Sequence, residues 1–161
     1  MNTKYLTKAS LIAGIYLVLV LIQMPIGNLT FGPIQLRIAE GLTLLPLIET
    51  AAIPGLFVGC LVANLILTPY SAFGLIDIIG GSLVTLIAAY LTSKMPNKLT
   101  GSLPPIFLNG IFVSIWVSYF TRVPYLLTVM GIVGGQIASI AIFGTLILSV
   151  YEKVIKHTEN Q

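Results

Sequence analysis

Gln35-Leu36-Arg37-Ile38-Ala39-Glu40-Gly41-Leu42-Thr43-Leu44-Leu45-Pro46 places a Gln, an Arg and a Glu at the mouth of an otherwise apolar segment. If the segment is helical, Arg37 and Glu40 are three residues apart and share a face. A charge this close to hydrocarbon is costly, so it turns inward or toward water and takes a partner. Two readings are open here. One is an interfacial ion pair that sets the depth of a helix. The other is a ligand pocket that opens at this end.

The rest of the chain explains why charge matters so much at this point. Its 161 residues are 57% hydrophobic and 8% charged, against about 25% charged in a soluble domain. So few charges cannot cover a water-facing surface. The composition therefore predicts an all-α integral membrane protein, with residues 1–161 forming one domain. A single cysteine, Cys60, excludes an internal disulfide and a cysteine metal cluster. The net charge of +3 comes from few, scattered basic residues and does not point to nucleic acid. The first apolar run follows Lys4 and Lys8 as a signal peptide would. It exits through Met24-Pro25-Ile26-Gly27 with no small-x-small cleavage site, so it reads as a retained helix.

Six membrane helices are expected, over about 7–24, 35–52, 54–67, 75–93, 106–120 and 125–151. Proline and glycine mark their ends: Pro25, Gly27, Gly32 and Pro33 after the first, Thr68-Pro69 after the third, Val123-Pro124 before the sixth. Residues 94–105 read as a basic connector rich in Pro, Gly and Ser. Asn28-Leu29-Thr30 matches a glycosylation sequon, which has meaning only in a eukaryotic secretory context. Gly55, Gly59 and Ala63 form one stripe of small residues and Gly131, Gly135 and Ser139 another, each suited to a close helix approach. Six crossings put both termini on one side. Lys4, Lys8, Lys94, Lys98, Lys153 and Lys156 then share that side, with only Arg37 and Arg122 opposite. The asymmetry predicts cytoplasmic termini, with the Arg37–Glu40 mouth facing out.

The catalytic inventory is thin. There is no Gly-x4-Gly-Lys-Ser/Thr phosphate loop, so no ATP hydrolysis is expected of this chain. The one histidine, His157, lies in the tail, which leaves no Ser-His-Asp or Cys-His unit in the bundle and no paired-histidine metal spacing. What remains is a set of polar and aromatic residues converging on one end. Glu40 and Asp77 are carboxylates that accept bidentate hydrogen bonds from a donor-rich ligand. Asn64, Asn109 and Gln136 offer amides inside apolar helices. Trp116, Tyr119, Tyr70 and Phe73 offer flat faces. Each has a plainer role available. Asp77 suits a helix N-terminus, the aromatics suit a membrane interface, and the amides suit helix–helix contacts. The convergence, rather than any one residue, suggests a small-molecule site. Glu49 falls at the opposite end of the second helix.

The segment 35–46 resembles the signature of the QueT family, Gln-aromatic-Arg-Ile-Ser/Ala-Glu-Ala-Leu-Thr-x-Leu-Pro. It departs at Leu36, where an aromatic is common, and at Gly41, where Ala is common. Ile53-Pro54-Gly55-Leu56-Phe57-Val58-Gly59-Cys60 and Asp77-Ile78-Ile79-Gly80-Gly81-Ser82-Leu83-Val84-Thr85-Leu86 are similar to its next two blocks. The resemblance runs from the first helix to the fifth. It implies a substrate-binding S component of an energy-coupling factor (ECF) vitamin transporter in the bacterial plasma membrane. Such a protein has six helices and termini inside, and takes its substrate from outside. Its partners would be a membrane coupling subunit and two ATPases, and its substrate a queuosine precursor. It would need no cofactor of its own. Ala9 and Ala13 match the spacing of the family's docking pair for the coupling subunit, with Gly14 extending the small face. Three other readings stay open. They are an S component for another vitamin, a stand-alone proton-coupled carrier titrating at Glu40, Glu49 or Asp77, and a structural membrane subunit.

Overall fold

All regular structure among the described residues is helical, as an apolar chain without strand alternation requires. The computed structural model describes residues 3–27, 32–71 and 73–159, with side chains through Lys153. The Asn28-Leu29-Thr30 sequon lies outside them. Among the described residues five helices are long and apolar enough to cross a membrane: α1 (Thr3–Ile26), α3 (Ala52–Tyr70), α4 (Gly74–Thr92), α5 (Lys98–Thr121) and α6 (Tyr125–Lys153).

The expected second membrane helix takes another form. It is a ten-residue 3-10 helix, α2 (Ile38–Leu47), and an extended stretch ending at Arg37 (φ −117°, ψ 117°) leads into it. Pro46 is inside α2; in an α-helix it would clash with the carbonyl four residues back. A 3-10 helix rises about 2.0 Å per residue against 1.5 Å for an α-helix. Ten residues therefore reach about 20 Å rather than about 15 Å. Such backbone is tolerated at membrane depth only when protein surrounds it. Residues 39–46 are all buried, and α1, α3, α4, α5 and α6 all pack against α2. The short helix is the axis of the bundle.

Two boundaries also differ from expectation. α5 begins at Lys98, eight residues before the anticipated start at 106, and runs through Pro104 and Pro105. Asn97 caps it, its side chain accepting the Thr100 N–H at 2.9 Å. Pro105 cannot bond the Gly101 carbonyl, and the Thr92 hydroxyl of α4 donates to that oxygen at 2.9 Å instead. The last helix continues to Glu159 rather than ending in a tail at 152.

The two small-residue stripes do different jobs. A Cβ on Gly55 would lie 2.8 Å from the Ala9 carbonyl, and one on Gly59 would lie 2.8 Å from the Tyr16 Cβ. That stripe seats α1 on α3. The stripe on α6 seats no helix. A Cβ on Gly131 would lie 2.3 Å from the Pro33 carbonyl oxygen, and one on Gly135 would lie 1.7 Å from that of Gln35. It carries the extended backbone that leads into α2.

Just past the C-terminal end of α2, Glu49 joins three elements. Its Oε2 accepts from Lys8 Nζ of α1 at 2.5 Å and from Tyr151 Oη of α6 at 3.0 Å, and its Oε1 accepts the Ala51 N–H at 3.2 Å. Burial raises the carboxyl's pKa, and these three donors together outweigh it, holding the group below its ordinary 4.5.

Candidate functional site: a buried polar cavity

A helix that is apolar along its length needs a reason to hold a carboxylate inside. Glu40, in the first turn of α2, is 2% exposed. Three helices satisfy it. Tyr16 Oη of α1 donates to Oε1 at 3.2 Å, Gln136 Nε2 of α6 to Oε2 at 2.8 Å and Asn109 Nδ2 of α5 to Oε2 at 3.4 Å. Arg37 Nε stands 4.0 Å from Oε1, an ion pair longer than a hydrogen bond.

Across the cavity from Glu40, Asp77 opens a π-helical turn, Asp77–Gly81, and its Oδ1 accepts the Trp116 indole N–H at 3.1 Å. Asn109 opens a second π turn, Asn109–Val113. A π turn adds one residue to a helix and redirects the side chains around it. Here two such turns line the cavity with both their first and last residues. Asn64 of α3 donates to the Asp77 carbonyl at 2.8 Å. Cys60, one turn earlier, accepts from Asn64 and from the Thr85 hydroxyl, each at 3.5 Å.

Arg37, Glu40, Asn64, Asp77, Asn109 and Gln136, all anticipated, line one cavity with Gln35, Cys60, Gly81, Thr85 and Val113. Trp116 joins through Asp77. The other expected aromatics stand apart. Tyr70 and Tyr119 are 67% and 66% exposed. Phe73 is buried in an apolar cluster with Val84, Val117 and Ile132 and meets Phe120 at 5.9 Å between centroids. Their amphipathic character suits a membrane interface equally well. Cys60, Thr85 and Val113 were not anticipated, although each follows helical spacing: Cys60 and Asn64, Gly81 and Thr85, Asn109 and Val113 are all four apart and share faces. Tyr16, a lone hydroxyl in the apolar α1, was missed as Glu40's donor.

The cavity is narrow, with about 10 Å³ of free space, room for about one water molecule. It is also electrostatically unfinished. Among the described residues the buried side-chain polar atoms without a hydrogen-bond partner are Arg37 Nε and Nη2, Asn64 Oδ1 and Ser114 Oγ. Three of those four belong to cavity residues. A buried unpaired polar atom costs about 1–3 kcal/mol, more when charged. Two carboxylates face one guanidinium. The arrangement can receive a ligand that offers an acceptor to Arg37 and donors to Asn64, Asp77 and Glu40.

Several helices long and apolar enough to cross a membrane, packed around a narrow polar cavity, point to a multi-pass membrane protein. The chain belongs to the QueT transporter family: the family's model, described as QueT transporter, matches residues 6–153. It is accordingly a membrane transporter component. No curated protein and no solved structure matches it.

Ala9 and Ala13, expected at a partner interface, lie against α3. Ala9 is buried, and both backbones meet the Gly55 and Gly59 positions. The small residues of α1 that stay open are Ser10 and Gly14. Both are exposed, nothing lies within 4 Å of a Cβ placed on Gly14, and with Leu11, Ile15, Val18 and Leu19 they line a groove of about 360 Å³.

Proposed function

We propose that this protein is the substrate-binding S component of an ECF-type ATP-driven importer and that it captures a queuosine precursor, a 7-deazaguanine base. The observation that carries the reading is the Arg37 guanidinium, buried beside two carboxylates with Nε and Nη2 unpaired. A 7-deazaguanine presents a ring carbonyl for Arg37 and adjacent N–H donors for Glu40 or Asp77 and for the open Asn64 Oδ1. An aminomethyl substituent adds a cation, which balances the second carboxylate. ATP hydrolysis is assigned to partner chains, since this one has no phosphate loop. The narrow chamber must widen to admit a ring, because small-molecule sites typically enclose about 300–1,000 Å³.

The lysine bias supports six crossings, with α2 and its flanks as the second, cytoplasmic termini in a bacterial plasma membrane, and a site loaded from outside. In a Cys60→Ser background Lys98→Cys should be shielded from impermeant thiol reagents in intact cells and Ser71→Cys should label. The reverse pattern would invert the topology. The coupling subunit is assigned to the open face of α1 at Ser10 and Gly14. Gly14→Trp should then keep ligand binding and lose uptake, whereas Ala9→Trp should destabilise the α1–α3 seam.

Calorimetry with 7-aminomethyl-7-deazaguanine on the purified protein tests the substrate class. Saturable one-to-one binding is expected. Absence of binding heat, together with no small molecule retained after gentle purification, would refute it.

A further inference from the structure

We infer that Gln23, which is not among the residues lining the cavity, is the positioning residue that sets Arg37 in the site. The inference rests on the reading of Arg37 as a ligand contact. Arg37 sits on extended backbone, and non-helical backbone in an apolar protein must find partners for its own N–H and C=O groups. Gln23, 2% exposed on α1, supplies two of them with one side chain. Its Nε2 donates to the Leu36 carbonyl, and its Oε1 accepts the Ile38 N–H at 2.7 Å. These groups flank Arg37 on both sides, so the amide acts as a neighbouring strand would. The Arg37 N–H is taken by Ser139 Oγ of α6 at 2.9 Å. From beneath, Gly135 lets the Gln35 carbonyl approach closer than any side chain would allow.

The strap is thus held from three directions by α1 and α6, and its one charged side chain enters the cavity. The guanidinium itself has two unpaired donors, so little in the cavity fixes its position. The backbone clamp does so instead. A residue that merely packed α1 against its neighbours would have no need of paired contacts on either side of Arg37.

Two measurements test this, and only the second needs a ligand. Amide exchange on the detergent-purified protein should show the Arg37 and Ile38 N–H groups protected in the wild type. In Gln23→Met, which keeps the length and loses both bonds, exchange there should be faster by about tenfold or more, with α3 and α4 unchanged. Unchanged exchange at Arg37 and Ile38 would overturn the clamp. Where Gln23→Met does not fold, Gln23→Glu keeps the acceptor for Ile38 and should give a smaller effect in the same segment. A wild-type-like exchange pattern there counts equally against the proposal. The second measurement is a double-mutant cycle on the affinity for 7-aminomethyl-7-deazaguanine. Gln23→Met should weaken binding by about tenfold in the wild-type background and by less than about twofold when Arg37 is already Met. Equal losses in both backgrounds would show that Gln23 acts on the fold and not through Arg37. If the wild type fails to bind the probe, the substrate reading falls, and the exchange experiment still decides the clamp.

Discussion

Glu40 and Glu49 are buried carboxylates at opposite ends of the same short helix, and the fold treats them differently. Around Glu49 the charges are matched: one carboxylate, one ammonium at 2.5 Å, and a hydroxyl and a backbone N–H on the remaining lone pairs. Around Glu40 the carboxylate is satisfied by neutral donors, while the nearest cation is left 4.0 Å away with two donors unpaired. A cluster with its hydrogen bonds made ties elements together. A cluster that keeps a charged group short of partners carries a cost that packing does not explain. The first joins α1, the α2–α3 turn and α6. The second is where the proposed ligand would supply the missing partners.

Substitutions should separate the two clusters. The largest effect is expected from Glu40→Gln, which removes the charge beside Arg37. Losing a charge-assisted contact and leaving ligand donors unpaired costs about 2–5 kcal/mol, so affinity for 7-aminomethyl-7-deazaguanine should fall by about 30-fold or more by calorimetry. A Glu40→Gln protein that binds like the wild type would make the two clusters equivalent. Glu49→Gln should act on the other axis. It should lower stability in denaturant or thermal unfolding by about 1–3 kcal/mol and change ligand affinity by less than about twofold.

Trp116→Phe keeps an aromatic ring, smaller than the indole, and removes the donor to Asp77 Oδ1. A single hydrogen bond to a charged group is worth about 1.5–3 kcal/mol at most when buried. Asp77 is only half-buried, so an affinity loss of about three- to tenfold is expected. Unaltered affinity would remove Asp77's orientation from the account.

The pH dependence is smaller still and follows from Glu49. Its carboxyl is held below 4.5 in the folded protein. The stability it contributes is therefore complete above that value and is lost as pH falls through the lower, folded value. The stability gap between wild type and Glu49→Gln should narrow on acidification below about pH 4.5. A gap that widened there would reverse the sign of the assignment. Tyr119→Ala marks the floor: the side chain is exposed and outside the cavity, and ligand affinity should stay within about twofold.

Much of this was legible in the sequence because polar residues are scarce in it. Arg37, Glu40, Asn64, Asp77, Asn109 and Gln136 each interrupt an apolar run, and the cost of burying them drives them toward one another. The aromatics carried no such information, since Tyr70 and Tyr119 at a membrane interface look the same in sequence as stacking faces in a pocket. The form of α2 was also hidden. A segment buried on every side shows no periodicity, so its 3-10 winding, and the extended strap before it, left no pattern to read. Pro104 and Pro105 argued for a connector, and in the continuous α5 the Thr92 hydroxyl of a neighbouring helix supplies the partner that Pro105 denies the Gly101 carbonyl. Gly131 and Gly135 announced a close approach but not its occupant, which is bare backbone and not a helix.

The most direct test sets the two clusters side by side. Arg37→Met and Glu49→Gln are purified in parallel, and the affinity of each for 7-aminomethyl-7-deazaguanine is measured by calorimetry against the wild type. Arg37→Met should weaken binding by about 30-fold or more while Glu49→Gln binds as the wild type does. Wild-type affinity in Arg37→Met, or an equal loss in both, would contradict this expectation.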